Sequence, residues 1–183
     1  MERYWAFTGG DAGEWRVTSL TPVIGAAVQP VSHIAVLPLA VGAPAPPGRW
    51  TLRGVRSNER YVSATERSLL VAKQADLGRS EARSAALIPI RKSPGWWALA
   101  QDERRAIMEE RSHHIAIGFE YLPAIARRLY HCRDLDEPFD FLTWFEFAPQ
   151  HSSAFDDLLA RLRASYEWTY IEHEVEVRLE RAG

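Results

Sequence analysis

The sequence contains a single cysteine, Cys132, among 183 residues. One cysteine cannot form an intrachain disulfide, and it cannot supply the thiolates of a cysteine-rich zinc or iron–sulfur site. The chain also lacks a long basic block, because 22 Lys and Arg residues against 24 Asp and Glu residues give a formal net charge of −2. A protein that holds nucleic acid through phosphate contacts carries a basic surface. We therefore expect no nucleic-acid partner.

Long apolar runs are missing as well. The longest apolar stretch, residues 34–45, contains Pro38 and Pro44 and falls short of the roughly 20 residues that a membrane-spanning helix needs. The first residues of the sequence show no apolar segment of the secretory type. We therefore expect a protein without membrane association and with a cytoplasmic location.

Aromatic residues, in contrast, are abundant, with seven Trp, six Tyr and seven Phe. The periodicity of the apolar residues predicts a mixture of strands and helices. Strands are predicted at Tyr4–Thr8, Trp15–Leu20, Ser32–Leu39, Trp50–Val55, Ala85–Ile90, Phe139–Phe147 and Tyr170–Leu179. Helices are predicted after a cap at Asn58, after a cap at Asp102 and over Ser152–Ala164. Glycines at residues 9–13 predict a hairpin between the first two strands.

The second half of the chain is the more legible part, and it indicates a β-α-β-α-β order. The first half contains a similar number of elements, so two related α+β subdomains that share a sheet fit the pattern. In the strand Phe139–Phe147, alternate residues place Phe139, Phe141, Thr143, Phe145 and Phe147 on one face. Such a face is typical of a core, but it is also the surface that a large planar cofactor requires.

The residues His113 and His114 raise the question of a metal ligand, because histidine is the most common metal-binding side chain. On a helix, adjacent side chains are about 100° apart, so one histidine faces inward and the other faces solvent. Glu110 precedes His114 by four residues, and His131 follows later, so a zinc or non-haem iron site is one alternative. A core histidine beside a surface histidine is the other.

Arg127 follows His114 by thirteen residues, with Pro123 between them. Proline disfavours helix at the residue before it and suits the first turn of a new helix. A bend at Pro123 would bring His114 and Arg127 to opposite sides of a planar ligand. The alternative is that Arg127 and Arg128 form a solvated charge pair on an amphipathic helix.

Lys92 and Glu167 lie beside apolar segments, and Trp96 and Trp97 form a second aromatic site. A carboxylate that binds the far nitrogen of a metal-bound histidine sets its orientation and basicity. Each of these residues has a plainer interpretation, as a surface ion or as a core aromatic.

Five motifs together resemble the chlorite dismutase family, and in particular its short-chain dimeric clade. They are ALIPIRKS at residues 86–93, Trp96-Trp97, SHHI at residues 112–115, YLPAIAR at residues 121–127 and FDFLTWFEF at residues 139–147. The resemblance begins at FTGG, residues 7–10, and extends over nearly the whole chain. It implies a single α+β domain with a duplicated ferredoxin-like fold, a dimeric α+β barrel. The two halves are expected at about residues 1–80 and 81–183, with one haem b per subunit.

The resemblance also implies roles for individual residues. His114 occupies the position of the proximal iron ligand, and Arg127 that of the flexible distal, catalytic arginine. Glu167 and Lys92 correspond to the pair that hydrogen-bonds around the proximal histidine. Pocket positions are matched by Trp96, Trp97, Leu122, Thr143 and Phe145. Longer family members have additional N-terminal sequence, so we expect this chain to form a homodimer and not a pentamer.

The activity that the resemblance implies is conversion of chlorite, a small anion, to chloride and dioxygen. Oxygen transfer to iron gives a ferryl species and hypochlorite, and the distal arginine holds the hypochlorite until the oxygen–oxygen bond forms. One alternative is a coproheme decarboxylase of haem biosynthesis, although those related enzymes have no arginine at the position of Arg127. The other alternative is a haem-binding protein without turnover.

Overall fold

The computed structural model describes residues 3–40, 42–56 and 61–182. Its strands are β1 Tyr4–Gly10, β2 Trp15–Ile24, β3 His33–Leu39, β4 Trp50–Arg56, β5 Ser84–Lys92, β6 Ile125–His131, β7 Phe141–Phe147 and β8 Ile171–Arg181. Its α-helices are α1 Ala64–Lys73, α2 Pro94–Ala98, α3 Gln101–Arg105, α4 His114–Glu120 and α5 Ser152–Arg163. The mixed α+β class predicted from the sequence is confirmed. Among the described helices, none is long and apolar enough to cross a bilayer.

The eight strands form one closed antiparallel barrel in the order β1-β3-β2-β8-β5-β7-β6-β4, with β4 returning to β1. The strands of the first half therefore lie side by side as β4-β1-β3-β2, and those of the second half as β8-β5-β7-β6. The same relative order, fourth-first-third-second, occurs in both halves. Helices α2 to α5 all belong to the second half of the chain.

Two apolar clusters explain why β5 and β7 are buried on both faces. Inward-facing residues such as Leu87 and Trp144 fill the barrel. Outward-facing residues such as Ile88 and Phe145 pack against α5, whose Phe155 is fully buried. Because strand side chains alternate between the faces, β5 and β7 each contribute to both clusters. The layer between these strands and their helices is where the candidate site lies.

The predicted hairpin between the first two strands is wrong. Strand β3 lies between β1 and β2 and pairs with each of them. Gly10 of β1 lies opposite His33, and Trp15 of β2 lies opposite Ile34, so β2 begins where β1 ends and runs in the same direction. Residues 11–14, which join the two strands, therefore make a sideways step and not a reversal.

Several predicted boundaries also need correction. Helix α3 begins at Gln101 with Ala100 at its N-cap position, so Asp102 lies inside the helix and does not cap it. Helix α1 is capped by Ser63, whose side chain accepts a hydrogen bond from the Glu66 backbone N–H. The predicted cap at Asn58 lies outside the described residues. Phe139 precedes β7 and packs in the barrel interior, so the aromatic outer face begins at Phe141.

The chain after Pro123 forms strand β6 and not the helix that the proline position suggests. Helix α4 ends at Glu120, and a turn over residues 121–124 reverses the chain into β6. Strand β6 then pairs with β7 along its whole length, with Arg127 opposite Phe145. Pairing with an aromatic, β-prone neighbour determines the outcome here, because tertiary context overrides local preference.

Candidate ligand site between the barrel and its helices

Two adjoining cavities lie between the outer face of the barrel and helices α1, α4 and α5. The larger cavity has a volume of about 430 Å³ and the smaller one about 60 Å³. Residues that line both are Ile90, His114, Arg127, Thr143 and Trp168. A volume of several hundred Å³ is typical of a site for a small molecule or cofactor.

Three side chains that are distant in the sequence make a buried relay at the wall of the larger cavity. His114 Nδ1 lies 2.6 Å from Glu167 Oε2, and the Lys92 ammonium donates to Glu167 Oε1 at 2.6 Å. The Lys92 and Glu167 side chains are only 5% and 3% exposed. Because Nδ1 makes the hydrogen bond to Glu167, the other ring nitrogen of His114, Nε2, is the one available to a ligand.

Glu167 is held in place from several directions. Its backbone N–H donates to Ser112 Oγ at 2.8 Å, which ties it to the segment before α4. Burial alone would raise the pKa of Glu167, but the charges of His114 and Lys92 outweigh burial and lower that pKa to about 2. The carboxylate is therefore ionised, as an acceptor that orients an imidazole should be.

The local backbone separates His113 from His114 and explains why only one faces the cavities. A π-helical turn, Ala106–Arg111, precedes them, and His113 has a left-handed conformation with φ of 52°. Helix α4 begins only at His114, where Glu109 accepts hydrogen bonds from the N–H groups of Ile115 and Ala116. His113 is exposed to solvent. The expected separation of the two side chains is therefore present, but it arises from a break between helices and not from the 100° step along one helix.

Arg127 reaches the site from the opposite element, strand β6. Its side chain is half-buried, and its carbonyl accepts a hydrogen bond of 2.7 Å from Gln74 Nε2, just after α1. Since both His114 and Arg127 line both cavities, α4 and β6 present them to a common space. The alternative of a solvated Arg127–Arg128 pair on a helix is wrong for this segment.

Most of the other predicted pocket residues lie at the cavities. Trp96 lines the larger cavity, and Leu122 and Phe145 line the smaller one. Trp97 lines neither: its indole N–H donates to Asp140 Oδ2 at 3.1 Å, and the Arg133 guanidinium lies 4.1 Å from its ring centre. Two consecutive tryptophans in the short helix α2 cannot both face one wall.

The alternative metal set is not assembled. Within residues 3–40, 42–56 and 61–182, no group of three or more His, Cys, Asp or Glu side chains is arranged to hold a metal ion. Glu110 is exposed, and His131 packs edge-on against Phe141. A zinc or non-haem iron site built from Glu110, His114 and His131 is therefore not supported.

Sequence reasoning missed several residues of the cavity wall, among them Trp168 and Tyr61. Trp168 follows Glu167 directly and donates its indole N–H to Glu174 Oε2 at 2.8 Å. Glu174 is fully buried and also accepts from Arg163. Tyr61 lines the larger cavity and packs edge-on against Trp96. The only signal for Trp168 was its position next to Glu167, and nothing local pointed to Tyr61.

The haem implied by the resemblance can be tested against this cavity. The indole N–H of Trp96 is buried and has no hydrogen-bond partner in the described part of the chain, so it is a donor available to a ligand carboxylate. Gly118 follows His114 by one helical turn, and a Cβ atom at this glycine would meet open space. An imidazole hydrogen-bonded through its far nitrogen to a carboxylate, apolar wall side chains such as Ile90 and Phe141, and a spare donor are groups that a haem site uses. The residues present fit a haem.

Fold and cavity together define the class: an α+β barrel protein in which the imidazole of His114, hydrogen-bonded to a buried carboxylate, lies at the wall of a large cavity. A family model described as chlorite dismutase matches residues 49–180. The solved structure of a dimeric chlorite dismutase from Nitrobacter winogradskyi has 57% sequence identity, covers 97% of this chain and 99% of that one, and superposes with a TM-score of 0.90. The chain belongs to the chlorite dismutase family.

More distant relatives agree. Chlorite dismutase from Ideonella dechloratans is 34% identical over 80 residues, which is 44% of this chain but only 26% of that protein. The structure of chlorite dismutase from Candidatus Nitrospira defluvii in complex with imidazole has 20% identity and a TM-score of 0.67, over 97% of this chain and 90% of that one. At this identity the likeness shows the fold alone.

Proposed function

We propose that the protein is a haem b enzyme, with one haem per subunit, that converts chlorite to chloride and dioxygen. The observation that carries the proposal is the His114–Glu167–Lys92 relay facing the same cavities as Arg127. Membership of the chlorite dismutase family supports it, since that family is haem-dependent. The reaction balances as one chlorite giving one chloride and one dioxygen.

His114 would hold the haem iron through Nε2 while Glu167 fixes the ring through Nδ1. A histidine bonded to an ionised carboxylate is a stronger electron donor than a free imidazole. Lys92 keeps Glu167 ionised in a site where an unpaired carboxylate would be costly. When bound, the haem supplies the redox chemistry that breaks the chlorine–oxygen bond and forms the oxygen–oxygen bond.

Arg127 would bind the anions. A guanidinium keeps its charge at any working pH, so it attracts chlorite into the cavity and holds the hypochlorite formed when the chlorine–oxygen bond breaks. Leu122 and Phe145 make part of the wall of the smaller cavity, next to Arg127, apolar. Confinement by Arg127 favours recombination over escape.

The two alternatives are weaker. A coproheme decarboxylase is not favoured, because the relative with 57% identity is a chlorite dismutase and Arg127 lies at the cavity wall. A haem carrier without turnover would not need the Arg127 guanidinium at the cavity wall.

We further propose a homodimer, supported by the dimeric state named for the Nitrobacter protein. We also infer that the barrel is a duplication of two ferredoxin-like halves, about residues 1–80 and 81–183. The support is that both halves have the strand order fourth-first-third-second. The cytoplasmic location stays a prediction.

The test of the proposed function is Arg127→Ala, with Arg91→Ala as the matched control. Arg91 lies on β5 in an exposed ion pair with Glu172. We expect Arg127→Ala to keep its haem content but to evolve less dioxygen per haem before inactivation. It should also release more hypochlorite to a chlorination trap. Arg127→Lys should recover part of the yield, because a point charge replaces only part of a planar fork.

Three outcomes would contradict the proposal. A wild-type protein that evolves no dioxygen from chlorite contradicts the activity. One that decarboxylates iron coproporphyrin instead supports the first alternative. An Arg127→Ala variant with the oxygen yield and the hypochlorite release of Arg91→Ala contradicts the role of Arg127.

A further inference from the structure

A row of three aromatic side chains connects the wall of the larger cavity to the protein surface. Trp96 lines the cavity and packs edge-on against Tyr170, with 5.6 Å between the ring centres. Tyr170 in turn packs edge-on against Tyr166 at 5.9 Å. Trp96 is 1% exposed and Tyr166 is 38% exposed. The row therefore begins at a buried position and ends in solvent.

The chemistry of the three side chains is uniform, because indole and phenol are the protein aromatics that give up an electron most easily. A second aromatic contact leads from the wall of the larger cavity, from Phe141 to Trp97, with stacked rings 5.9 Å apart. Phenylalanine resists one-electron oxidation, so a path through these two rings would be blocked at Phe141. The row of Trp96, Tyr170 and Tyr166 is not.

At the surface end of the row, the surroundings of Tyr166 favour the loss of its phenolic proton. The Arg111 guanidinium lies 3.5 Å from the ring centre of Tyr166. A hydrogen bond from Tyr170 and the charge of Arg111 lower the pKa of Tyr166. A phenol must release its proton when it is oxidised, and a neighbouring cation favours that release.

We propose that Trp96, Tyr170 and Tyr166 form a path that carries oxidising equivalents from the haem cavity to the surface. The inference rests on the proposed function, because it needs a haem in the cavity. Its oxidant is a peroxide that reacts at the haem. The path would remove oxidising equivalents that would otherwise damage the haem and its buried neighbours.

The electron balance is simple. One hydrogen peroxide and two tyrosines give two waters and two tyrosyl radicals, so each tyrosine contributes one electron and one proton. The electron moves inward, from Tyr166 to Tyr170 to Trp96 and then to the oxidant at the haem. The Tyr166 proton leaves to solvent. Two surface tyrosyl radicals then couple to a dityrosine, which restores both phenols without a further electron donor.

The experiment treats the haem-loaded protein with hydrogen peroxide in the presence of a spin trap and locates the adducts by peptide mass spectrometry. We expect the main adduct at Tyr166. The internal reference is Tyr4 on β1, a strand that lies across the barrel from β5. In Tyr170→Phe, the ring volume is kept but the phenol is lost, so the Tyr166 adduct should fall to the level at Tyr4. Trp96→Phe should have the same effect, and Tyr166→Phe should move the adduct to Tyr170.

A second arm oxidises the same proteins from solution with a photo-oxidant that does not enter the cavity. Tyr166 should then be labelled equally in wild type and in Tyr170→Phe, which shows that Tyr166 is still exposed and reactive. A purely structural role of Tyr170 predicts no difference between the variants in the peroxide arm. Tyr170→Phe should also keep its oxygen yield from chlorite but lose its haem absorbance sooner under peroxide.

Two results would overturn the inference while leaving the proposed function intact. They are a wild type that evolves dioxygen but shows no adduct at Tyr166, and a Tyr170→Phe variant that keeps the adduct under peroxide. A protein that takes up no haem overturns both the inference and the proposed function. The haem titration and the oxygen yield distinguish these cases.

Discussion

Glu167 is the residue on which the arrangement of the candidate site depends. It joins Lys92, at the end of β5, to Ser112 and His114, which lie two residues apart at the start of α4. Removal of a partner from a buried charge is costly, because the charge left behind cannot recover its water. The orientation of the His114 ring and the charges of Glu167 and Lys92 therefore depend on the same set of contacts.

The first prediction concerns the two adjacent histidines, which supply their own control. His114→Ala should lose most of its haem affinity, because it removes the only imidazole nitrogen that the relay presents to the cavity. His113→Ala should bind haem as the wild type does, since His113 is exposed in the break before α4. The measurement is a haem titration followed by the Soret absorbance. A colourless His113→Ala variant would show that the assignment of the ligand is wrong.

At the scale of elements, the strands and helix with strong periodicity were predictable from the sequence. Strand β7 and helix α5 lie within two residues of their predicted ends, because alternation and helical spacing mark the buried faces directly. Strand β6 was not predictable, since its pairing with β7 decides against the helix that Pro123 suggests. The predicted hairpin between β1 and β2 fails for the same reason, because a contact with another segment decides the pairing. Strand β3, which begins at His33, lies between the two strands.

A second prediction belongs to helix α1, which borders the larger cavity through Leu70. Ser63→Ala removes the cap of this helix and should destabilise it by about 1 kcal/mol. Ser68→Ala is the matched control, because Ser68 lies within the helix and donates only to the Ala64 carbonyl. Amide hydrogen exchange in the first turn should become roughly fivefold faster in Ser63→Ala alone. Equal protection in both variants would contradict the role of the cap.

Whether a site residue could be predicted from the sequence depends on how far apart in the sequence its contacts lie. Residues inside contiguous motifs, such as His114 and Arg127, were recognisable as candidates from the sequence. Trp168 and Tyr61 were not, because they reach the cavity through contacts between distant segments. Trp97 was predicted at the pocket and lies elsewhere, since the turn of α2 directs it to Asp140.

For the whole molecule, a third prediction concerns stability in acid. Burial raises the pKa of Glu176, but hydrogen bonds from Arg163 and Arg178 outweigh it and lower that pKa below the ordinary value of 4.5. A lowered acid pKa adds stability above pH 4.5 that is lost as the pH falls below it. Glu176→Gln should therefore flatten the dependence of the urea midpoint on pH in that range.

The matched control for Glu176 is Glu180→Gln on the same strand. Glu180 forms an ion pair with Arg16 in which both side chains are more than half exposed, and such pairs contribute little. The urea midpoint of Glu180→Gln should change with pH as that of the wild type does. The same slope in all three proteins would contradict the contribution assigned to Glu176.

The fourth prediction is the mass of the assembly. Multi-angle light scattering of the haem-loaded protein should give twice the subunit mass of 20.8 kDa. A mass near five subunits would contradict the homodimer.

The closed ring of strands limits how two copies can meet. Every described strand has a hydrogen-bonded neighbour on each side, but β2 pairs with β3, and β4 with β6, at only two residues each. Backbone pairing between copies, which is also the first step of edge-to-edge aggregation, is therefore limited to the parts of these four strands that lie outside those short contacts. Elsewhere an interface between two copies has to be built from side chains of helices, loops and barrel faces, so point substitutions on those surfaces should separate the copies without opening the barrel.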